Sequence, residues 1–192
     1  KGLIAVKSNC SIQSYVPPLT ALWAFKPKEV IVTTYQAISG AGKTFDSRHG
    51  AQAWPEMVDN IIPLIGGEEE KSEKEPHKVW GKIQQGKLQL AKKPMISAHC
   101  LRVPVSDGHL ASVRVRFGKK PSREEILDAW KQWKNPLAEL KLPSSPEYFL
   151  RYLEEPDRPQ TGLDRDQGKG MTITLGRLEE DSILDWKFIC LS

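Results

Sequence analysis

The sequence has few cysteines and no long apolar run, and both absences restrict what the chain can be. Its 192 residues include three cysteines, Cys10, Cys100 and Cys190, and no two of them form a Cys-x-x-Cys pair. This usage argues against a disulfide framework and against a structural zinc site, and it fits a reducing, cytoplasmic setting. No apolar run approaches the roughly 20 residues of a membrane-spanning helix, so we expect no membrane span.

The sequence also lacks a large excess of positive or negative charge. The chain carries 28 Lys+Arg against 24 Asp+Glu, a net charge of +4, and the two signs are interspersed. So mild a charge, without a recognised basic motif, does not indicate a nucleic-acid partner. Hydrophobic residues make up 39% of the chain, too many for a disordered tail. The length suits one large domain or two small ones.

The ends of the sequence lead us to expect a domain of a longer protein. The chain begins at Lys1 without an initiator Met or a targeting segment and enters an apolar stretch at once. It stops at Ser192, directly after a run typical of a strand.

Alternating and β-branched residues predict most of the strands. Strands are expected at residues 3–6, 29–35, 95–105, 109–117, 147–153, 171–175 and 183–191. The turn Ser106-Asp107-Gly108 is a hairpin signal between the third and fourth of these. Residues 158–170 read as a long polar loop.

Helices are predicted at three places. The first covers about residues 11–25, with Pro17 and Pro18 expected to kink or delay it. The second is a charged surface helix over 68–85, interrupted near Pro76. The third opens at Ser122, which forms a capping box with Glu125. Strands interleaved with a few helices indicate an α+β fold with a mainly antiparallel or mixed sheet.

Cys10 is the first candidate for chemistry. It lies in a polar turn that leads into a helix, where backbone N–H groups and the helix dipole favour a thiolate, although a buried structural cysteine is as good a reading. His109 starts a strand after a turn, so its ring could project into a cleft. Such a pair could support nucleophilic catalysis, but local sequence does not place the two side by side. Cys100 and Cys190 lie in β-like runs and are expected to be structural.

Each of the other candidates has both a functional interpretation and a purely structural one. Arg102 could clamp a carboxylate, or it could be a surface cation. The run 68–71 is expected to be a solvated charged face. The segment 39–42 could let a cofactor ring approach the backbone, or it could be a tight turn. Arg114 and Arg116 alternate with apolar residues, which predicts one cationic strand face that could bind a partner.

Taken in order, six segments resemble aspartate-semialdehyde dehydrogenase, with the archaeal and fungal branch looking nearest. They are Asn9-Cys10-Ser11, Gln36 to Gly42, Asn60 to Pro63, Glu68 to Lys71, Arg102 to His109, and Arg158 to Gln160 with Leu163 to Arg165 and Gly170 to Arg177. The resemblance implies a fold like the C-terminal domain of glyceraldehyde-3-phosphate dehydrogenase.

The resemblance also implies an activity and three catalytic roles. The family interconverts aspartyl phosphate and aspartate semialdehyde with NADP(H) and phosphate, in the biosynthesis of lysine, threonine and methionine. Cys10 would be the nucleophile that forms a thiohemiacetal and then a thioester. His109 would be the acid and base, and Gln36 would orient the acyl intermediate.

Binding roles are implied in the same way. Arg102 would hold the substrate α-carboxylate, Glu75 would meet its amino group, and Lys78 would help to bind phosphate. Ser39 and Gly40 would lie near the nicotinamide of NADP. No metal is implied.

The family's Rossmann domain has no counterpart in this sequence, because no glycine-rich turn stands between a strand and a helix. We therefore expect residues 1–192 to be a substrate-binding, catalytic and dimerisation domain. We expect it to form a homodimer or homotetramer and to be inactive alone. Two alternatives are a malonyl-CoA reductase-type enzyme on the same scaffold and a non-catalytic dimerisation or interaction module.

Overall fold

The computed structural model describes residues 6–46 and 52–192. Nearly all of the strand predicted at residues 3–6 lies outside these ranges. The helices are α1 Ile12–Ala21, α2 Glu68–Val79, α3 Arg123–Gln132 and α4 Thr161–Asp164. The strands are β1 Pro27–Gln36, β2 Lys43–Thr44, β3 Gln52–Ala53, β4 Lys82–Gln84, β5 Lys87–Gln89, β6 Met95–Arg102, β7 Leu110–Phe117, β8 Leu150–Leu153, β9 Ile173–Glu180 and β10 Trp186–Leu191.

Six of the strands form one mixed sheet in the order β6-β1-β7-β10-β9-β8. β1 runs parallel to β6, β8 runs parallel to β9, and the other neighbours are antiparallel. The α+β class with a mixed sheet is thereby confirmed. Two further pairs, β2 with β3 and β4 with β5, form small separate ladders.

The hairpin predicted between β6 and β7 is wrong, because β1 lies between these two strands. The connecting loop instead crosses the end of β1. There the carbonyl of Val105 accepts the N–H of Ile38 at 2.9 Å, and the carbonyl of Ser106 accepts the N–H of Ser39 at 3.1 Å. Residues 106–108 do lie in the loop between the two strands, with Gly108 at a φ of 91°, but a turn signal does not determine which strand fills the space beside it.

The main core lies between one face of the sheet and the helices α1 and α3. It contains the buried residues of alternate positions in the central strands, together with Leu19 and Trp130. The capping box of α3 is confirmed, since Ser122 Oγ accepts the N–H of Glu125 at 3.2 Å and Glu125 Oε2 accepts the N–H of Ser122 at 2.8 Å. None of the helices in residues 6–46 and 52–192 is long and apolar enough to cross a membrane.

Helix α1 is shorter than predicted and passes through both prolines. It ends at Ala21 and is followed by a separate 3-10 turn, Trp23–Phe25. Pro18 is buried in the core, and its carbonyl accepts the indole N–H of Trp130 at 3.1 Å. Tertiary packing thus retains a helix that local preference disfavours.

Helix α2 ends at Val79, so the prediction of a helix to residue 85 is wrong. Lys82–Gln84 pairs instead with Lys87–Gln89. The turn between them uses positive φ angles at Gln85 (50°) and Gly86 (74°), the conformation of a tight β-hairpin. Pro76 lies inside the helix and does not interrupt it.

Carboxylates attach α2 to the edge of the main sheet. Glu73 Oε1 accepts the N–H of Ala98 at 3.1 Å, and Glu69 Oε1 accepts the N–H of Cys100 at 3.3 Å. Both donors belong to the edge strand β6, whose N–H groups would otherwise lack strand partners. Helix α2 is therefore fixed beside the end of β1, where the candidate site lies.

Candidate active site

Cys10 and His109 lie in contact, although 99 positions separate them. The Sγ of Cys10 is 3.2 Å from Nε2 of His109. Cys10 is partly exposed in the turn before α1, and its carbonyl accepts the N–H of Gln13 in the first helical turn. His109 is 7% exposed, and its backbone pairs with Ser192 beyond the end of β10. The pair that local sequence left open is thus brought together by the fold.

The second ring nitrogen of His109, Nδ1, is hydrogen-bonded to the backbone. Nδ1 accepts the N–H of Ala37 at 3.1 Å, so in the neutral ring the proton resides on Nε2 and points at the sulfur. Burial is the largest effect and lowers the pKa of His109; the Gly108 backbone opposes it, Arg102 lowers the pKa further, and Glu68 and Lys7 add smaller effects of opposite sign. The ring is therefore neutral near pH 7 and offers an Nε2–H hydrogen bond at the site.

Arg102 is a buried cation next to this pair. It is 6% exposed, and its Nη1 donates to the carbonyl of Ala37 at 2.6 Å. Burial lowers the pKa of the guanidinium, while the nearby groups Cys10 and Glu68 raise it. A guanidinium at this depth has further N–H donors for an anionic ligand. The reading of Arg102 as a surface cation is wrong.

Gly40 packs against both Arg102 and His109. It belongs to a 3-10 turn, Ile38–Ala41, that follows β1. A Cβ built on Gly40 would lie 2.9 Å from Arg102 Nη1 and 3.1 Å from His109 Cε1. The absence of a side chain is required for this close approach. Ser39 and Gly40 are themselves exposed, so a ligand can reach them.

The turn that carries Cys10 is held by two carboxylates of α2. Glu75 Oε2 accepts the backbone N–H of Asn9 at 2.8 Å, and Glu68 Oε2 accepts from Asn9 Nδ2 at 2.8 Å. Asn9 Oδ1 in turn accepts the N–H of Ser11 at 2.8 Å. Sequence reasoning missed Asn9 and Glu68 as site residues. The signal was the spacing of seven residues between Glu68 and Glu75, which places both on one helix face.

Glu68 is therefore not part of a solvated face. Its side chain is 12% exposed. Burial raises its pKa, but hydrogen bonds from Asn9 and Lys71 outweigh that effect and lower the pKa overall. Gln36, which is 1% exposed, donates through Nε2 to Glu68 Oε2 at 3.4 Å and to Thr34 Oγ1 at 3.3 Å. The predicted residue Gln36 thus joins the group around Cys10.

Two of the three lysines of α2, Lys71 and Lys78, differ in their distance from the Cys10 turn. Lys71 Nζ lies 3.1 Å from Glu68 Oε1, and Glu68 is the main cause that raises the pKa of Lys71, with Glu75 and Cys10 adding smaller effects. Lys78 is exposed in the last turn of the helix. Lys71, which the sequence reasoning did not select, is the lysine that the structure connects to the Cys10 turn.

The remaining cysteines are structural, as expected. Cys100 and Cys190 are both fully buried, and burial raises the pKa of each thiol. A cavity of about 590 Å³ lies elsewhere, between α3 and residues 145–150, and none of the predicted site residues lines it. The described residues contain no group of three His, Cys, Asp or Glu side chains that could hold a metal ion.

Comparison with known proteins gives one consistent family. A family model described as "Semialdehyde dehydrogenase, dimerisation domain" matches residues 16–192. An aspartate-semialdehyde dehydrogenase from Cryptococcus neoformans is 39% identical over 199 residues, covering 100% of this chain and 53% of the relative. One from Archaeoglobus fulgidus is 42% identical, covering 99% of this chain and 52% of the relative.

Solved structures give the same result. The crystal structure of aspartate semialdehyde dehydrogenase with NADP from Candida albicans matches with a TM-score of 0.85 and 35% identity, covering 100% of this chain and 52% of that chain. Aspartate semialdehyde dehydrogenase II from Vibrio cholerae, at 22% identity and a TM-score of 0.70, shares the fold. The chain spans about half the length of the relatives it matches.

Proposed function

The chain belongs to the semialdehyde dehydrogenase dimerisation-domain family, and we propose that it is the catalytic and dimerisation portion of an aspartate-semialdehyde dehydrogenase. Such an enzyme interconverts aspartate semialdehyde and aspartyl phosphate with NADP(H) and phosphate. The observation that carries the proposal is the 3.2 Å contact between Cys10 Sγ and His109 Nε2, with Arg102 beside it. A nucleophile, a ring N–H that donates a hydrogen bond at the reacting oxygen, and a cation for a carboxylate are groups that this chemistry needs.

Cys10 and His109 carry the bond changes in this proposal. The Cys10 thiolate adds to the aldehyde carbon, and the oxygen that develops negative charge takes a hydrogen bond from Nε2–H of His109. That oxygen keeps its negative charge, stabilised by the Nε2–H hydrogen bond, and loss of hydride from the carbon would turn it into the carbonyl of the thioester without a proton leaving the ring. The acid and base role of His109 stays a prediction from the family resemblance. Phosphate then displaces Cys10 from the thioester and releases aspartyl phosphate.

The nicotinamide cofactor supplies one part of the chemistry, since NADP accepts the hydride that leaves the thiohemiacetal carbon. Ser39 and Gly40 are proposed to face the nicotinamide, because they are exposed beside His109. The described residues include no glycine-rich turn between a strand and a helix that would hold the phosphates of a dinucleotide. We therefore propose that this chain alone does not turn over.

Substrate recognition is proposed for the charged side chains around the pair. Arg102 would bind the α-carboxylate, and Gln36 would orient the acyl group. The contact of Glu75 with the amino group and that of Lys78 with phosphate stay predictions from the family resemblance. Glu68 and Lys71 give the same side of the site a second carboxylate and a second lysine. Glu68 contacts Asn9, as Glu75 does, and Lys71 contacts Glu68.

Self-association is proposed through the sheet face opposite α1 and α3. This face carries the 43% exposed Ile31 and the half-buried Tyr35 and Ile189. The family description as a dimerisation domain supports a second copy as the occupant. Ile31→Lys places a cation beside Arg114, its cross-strand neighbour, and should reduce the mass measured by light scattering to that of the monomer. Ile83→Lys, in an exposed hairpin, should leave the mass unchanged.

The activity is tested on the complete gene product that contains these residues. NADPH formation from aspartate semialdehyde should require phosphate and should be lost in Cys10→Ser, whereas Cys190→Ser should retain turnover. Malonyl-CoA with NADPH should give no reaction. Turnover that survives in Cys10→Ser, or a preference for malonyl-CoA, would contradict the proposal.

A further inference from the structure

The carboxylate of Glu75 is bonded to the backbone immediately before the nucleophile. Its Oε2 accepts the N–H of Asn9 at 2.8 Å, and Cys10 is the next residue. The Asn9 side chain is held as well, by Glu68 at Nδ2 and by Ser11 at Oδ1. With backbone and side chain both fixed, little rotation is left in the turn that carries the sulfur.

Helix α2 connects the Cys10 turn to the main sheet. Glu69 and Glu73, on another face of the helix, accept backbone N–H groups of β6. β6 pairs with β1, β1 pairs with β7, and His109 directly precedes β7. Cys10 precedes α1 and His109 precedes β7, so the two residues belong to different elements. The distance between Cys10 Sγ and His109 Nε2 therefore depends on how these elements are held together. The path through Glu75 and α2 connects the two.

We propose that Glu75 is a positioning residue, which fixes the Cys10 sulfur relative to Nε2 of His109 by holding the N–H of Asn9. The inference rests on the proposed function, in which Cys10 is the nucleophile. It assigns Glu75 a different role from the amino-group contact that the family resemblance implies. Accepting an N–H requires an oxygen at this point and no charge, whereas binding an ammonium group requires the charge.

That difference makes the two roles separable with Glu75→Gln and Glu75→Ala. The amide oxygen of glutamine can accept the Asn9 N–H, and alanine cannot. Glu70→Ala is the matched control, because Glu70 lies on the same helix, is exposed and contacts Lys74. The first readout is the rate at which iodoacetamide labels Cys10 in this chain without substrate, followed by mass spectrometry of the Cys10 peptide.

A positioning role predicts that Glu75→Ala slows labelling of Cys10 about 10-fold, since a loosened turn separates the sulfur from Nε2–H. Glu75→Gln should recover most of the rate, and Glu70→Ala should match the wild type. Equal labelling in Glu75→Ala and wild type would overturn the inference. If Glu75→Ala fails to fold by circular dichroism, Glu75→Asp, which shortens the side chain by one methylene, takes its place in the comparison.

The second readout is steady-state kinetics of the complete gene product. A positioning role predicts a lower kcat in Glu75→Ala with little change in the KM for aspartate semialdehyde, and recovery of kcat in Glu75→Gln. A raised KM in both variants, with normal labelling of Cys10, would overturn positioning in favour of amino-group binding. The proposed function fails separately, when wild-type Cys10 labels no faster than Cys100 and Cys10→Ser remains active.

Discussion

His109 places one ring nitrogen on the sulfur of Cys10 and the other on the backbone of Ala37. The distances are 3.2 Å from Nε2 to Sγ and 3.1 Å from Nδ1 to the Ala37 N–H. Because a backbone N–H can only donate, Nδ1 must accept, and this fixes which nitrogen carries the proton. The tautomer of His109 is thus determined by the residue that follows β1.

Replacing the ring should remove the hydrogen bond that Nε2–H offers at the site. In the complete gene product, His109→Gln should lower kcat about 100-fold or more, in the range typical of losing a hydrogen-bond donor to a developing oxyanion. In this chain alone it should also slow iodoacetamide labelling of Cys10, measured on the Cys10 peptide. An unchanged kcat would show that His109 takes no part in the chemistry.

The buried imidazole should also make stability depend on pH. Burial lowers the pKa of His109 below its ordinary value of 6.5. As the pH falls through 6.5, His109 becomes protonated in the unfolded chain but not yet in the folded chain. The free energy of unfolding therefore falls. Urea unfolding at about pH 7.5 and about pH 5.5 should show a larger loss for wild type than for His109→Gln. Equal losses would contradict this assignment.

Adding one methyl group at Gly40 should disturb the site without unfolding the chain. The new Cβ would lie 2.9 Å from Arg102 Nη1 and 3.1 Å from His109 Cε1, so both side chains must shift. We expect Gly40→Ala to lower kcat/KM of the complete gene product about 10-fold or more, since misplacement on this scale reduces rates strongly. Gly66→Ala is the control, because a Cβ there meets no atom within 4 Å. Similar kinetics for the two variants would argue against the close packing.

The indole of Trp130 should contribute measurably to stability. It is 1% exposed, its ring lies 5.1 Å from that of Phe188, and its N–H donates to the carbonyl of Pro18. Trp130→Phe removes that hydrogen bond and leaves a void, so the free energy of unfolding should fall by about 2–4 kcal/mol in urea titrations. Trp23→Phe, at a 41% exposed position, should change it by less than about 1 kcal/mol. A loss at Trp23 as large as that at Trp130 would contradict the assignment.

Local patterns were sufficient for several elements and for the candidate residues. The alternation in Leu110–Phe117 gives a strand with buried valines and half-buried arginines, as the sequence predicts. The capping box at Ser122 starts α3 where expected. These signals work because each depends on residues within one helical turn or two strand positions. The prediction that α2 continues to residue 85 was wrong because the turn signal at Gln85-Gly86, which is also local, was not used.

The sequence by itself determined the α+β class, the family and the residue types that surround Cys10. Only the tertiary structure decided that β1 lies between β6 and β7, that Glu68 is buried against Asn9, and that His109 touches Cys10. The physical reason is distance along the chain: 99 residues separate Cys10 from His109. Their contact depends on strand order and on the docking of α2, which no pattern of neighbouring residues encodes.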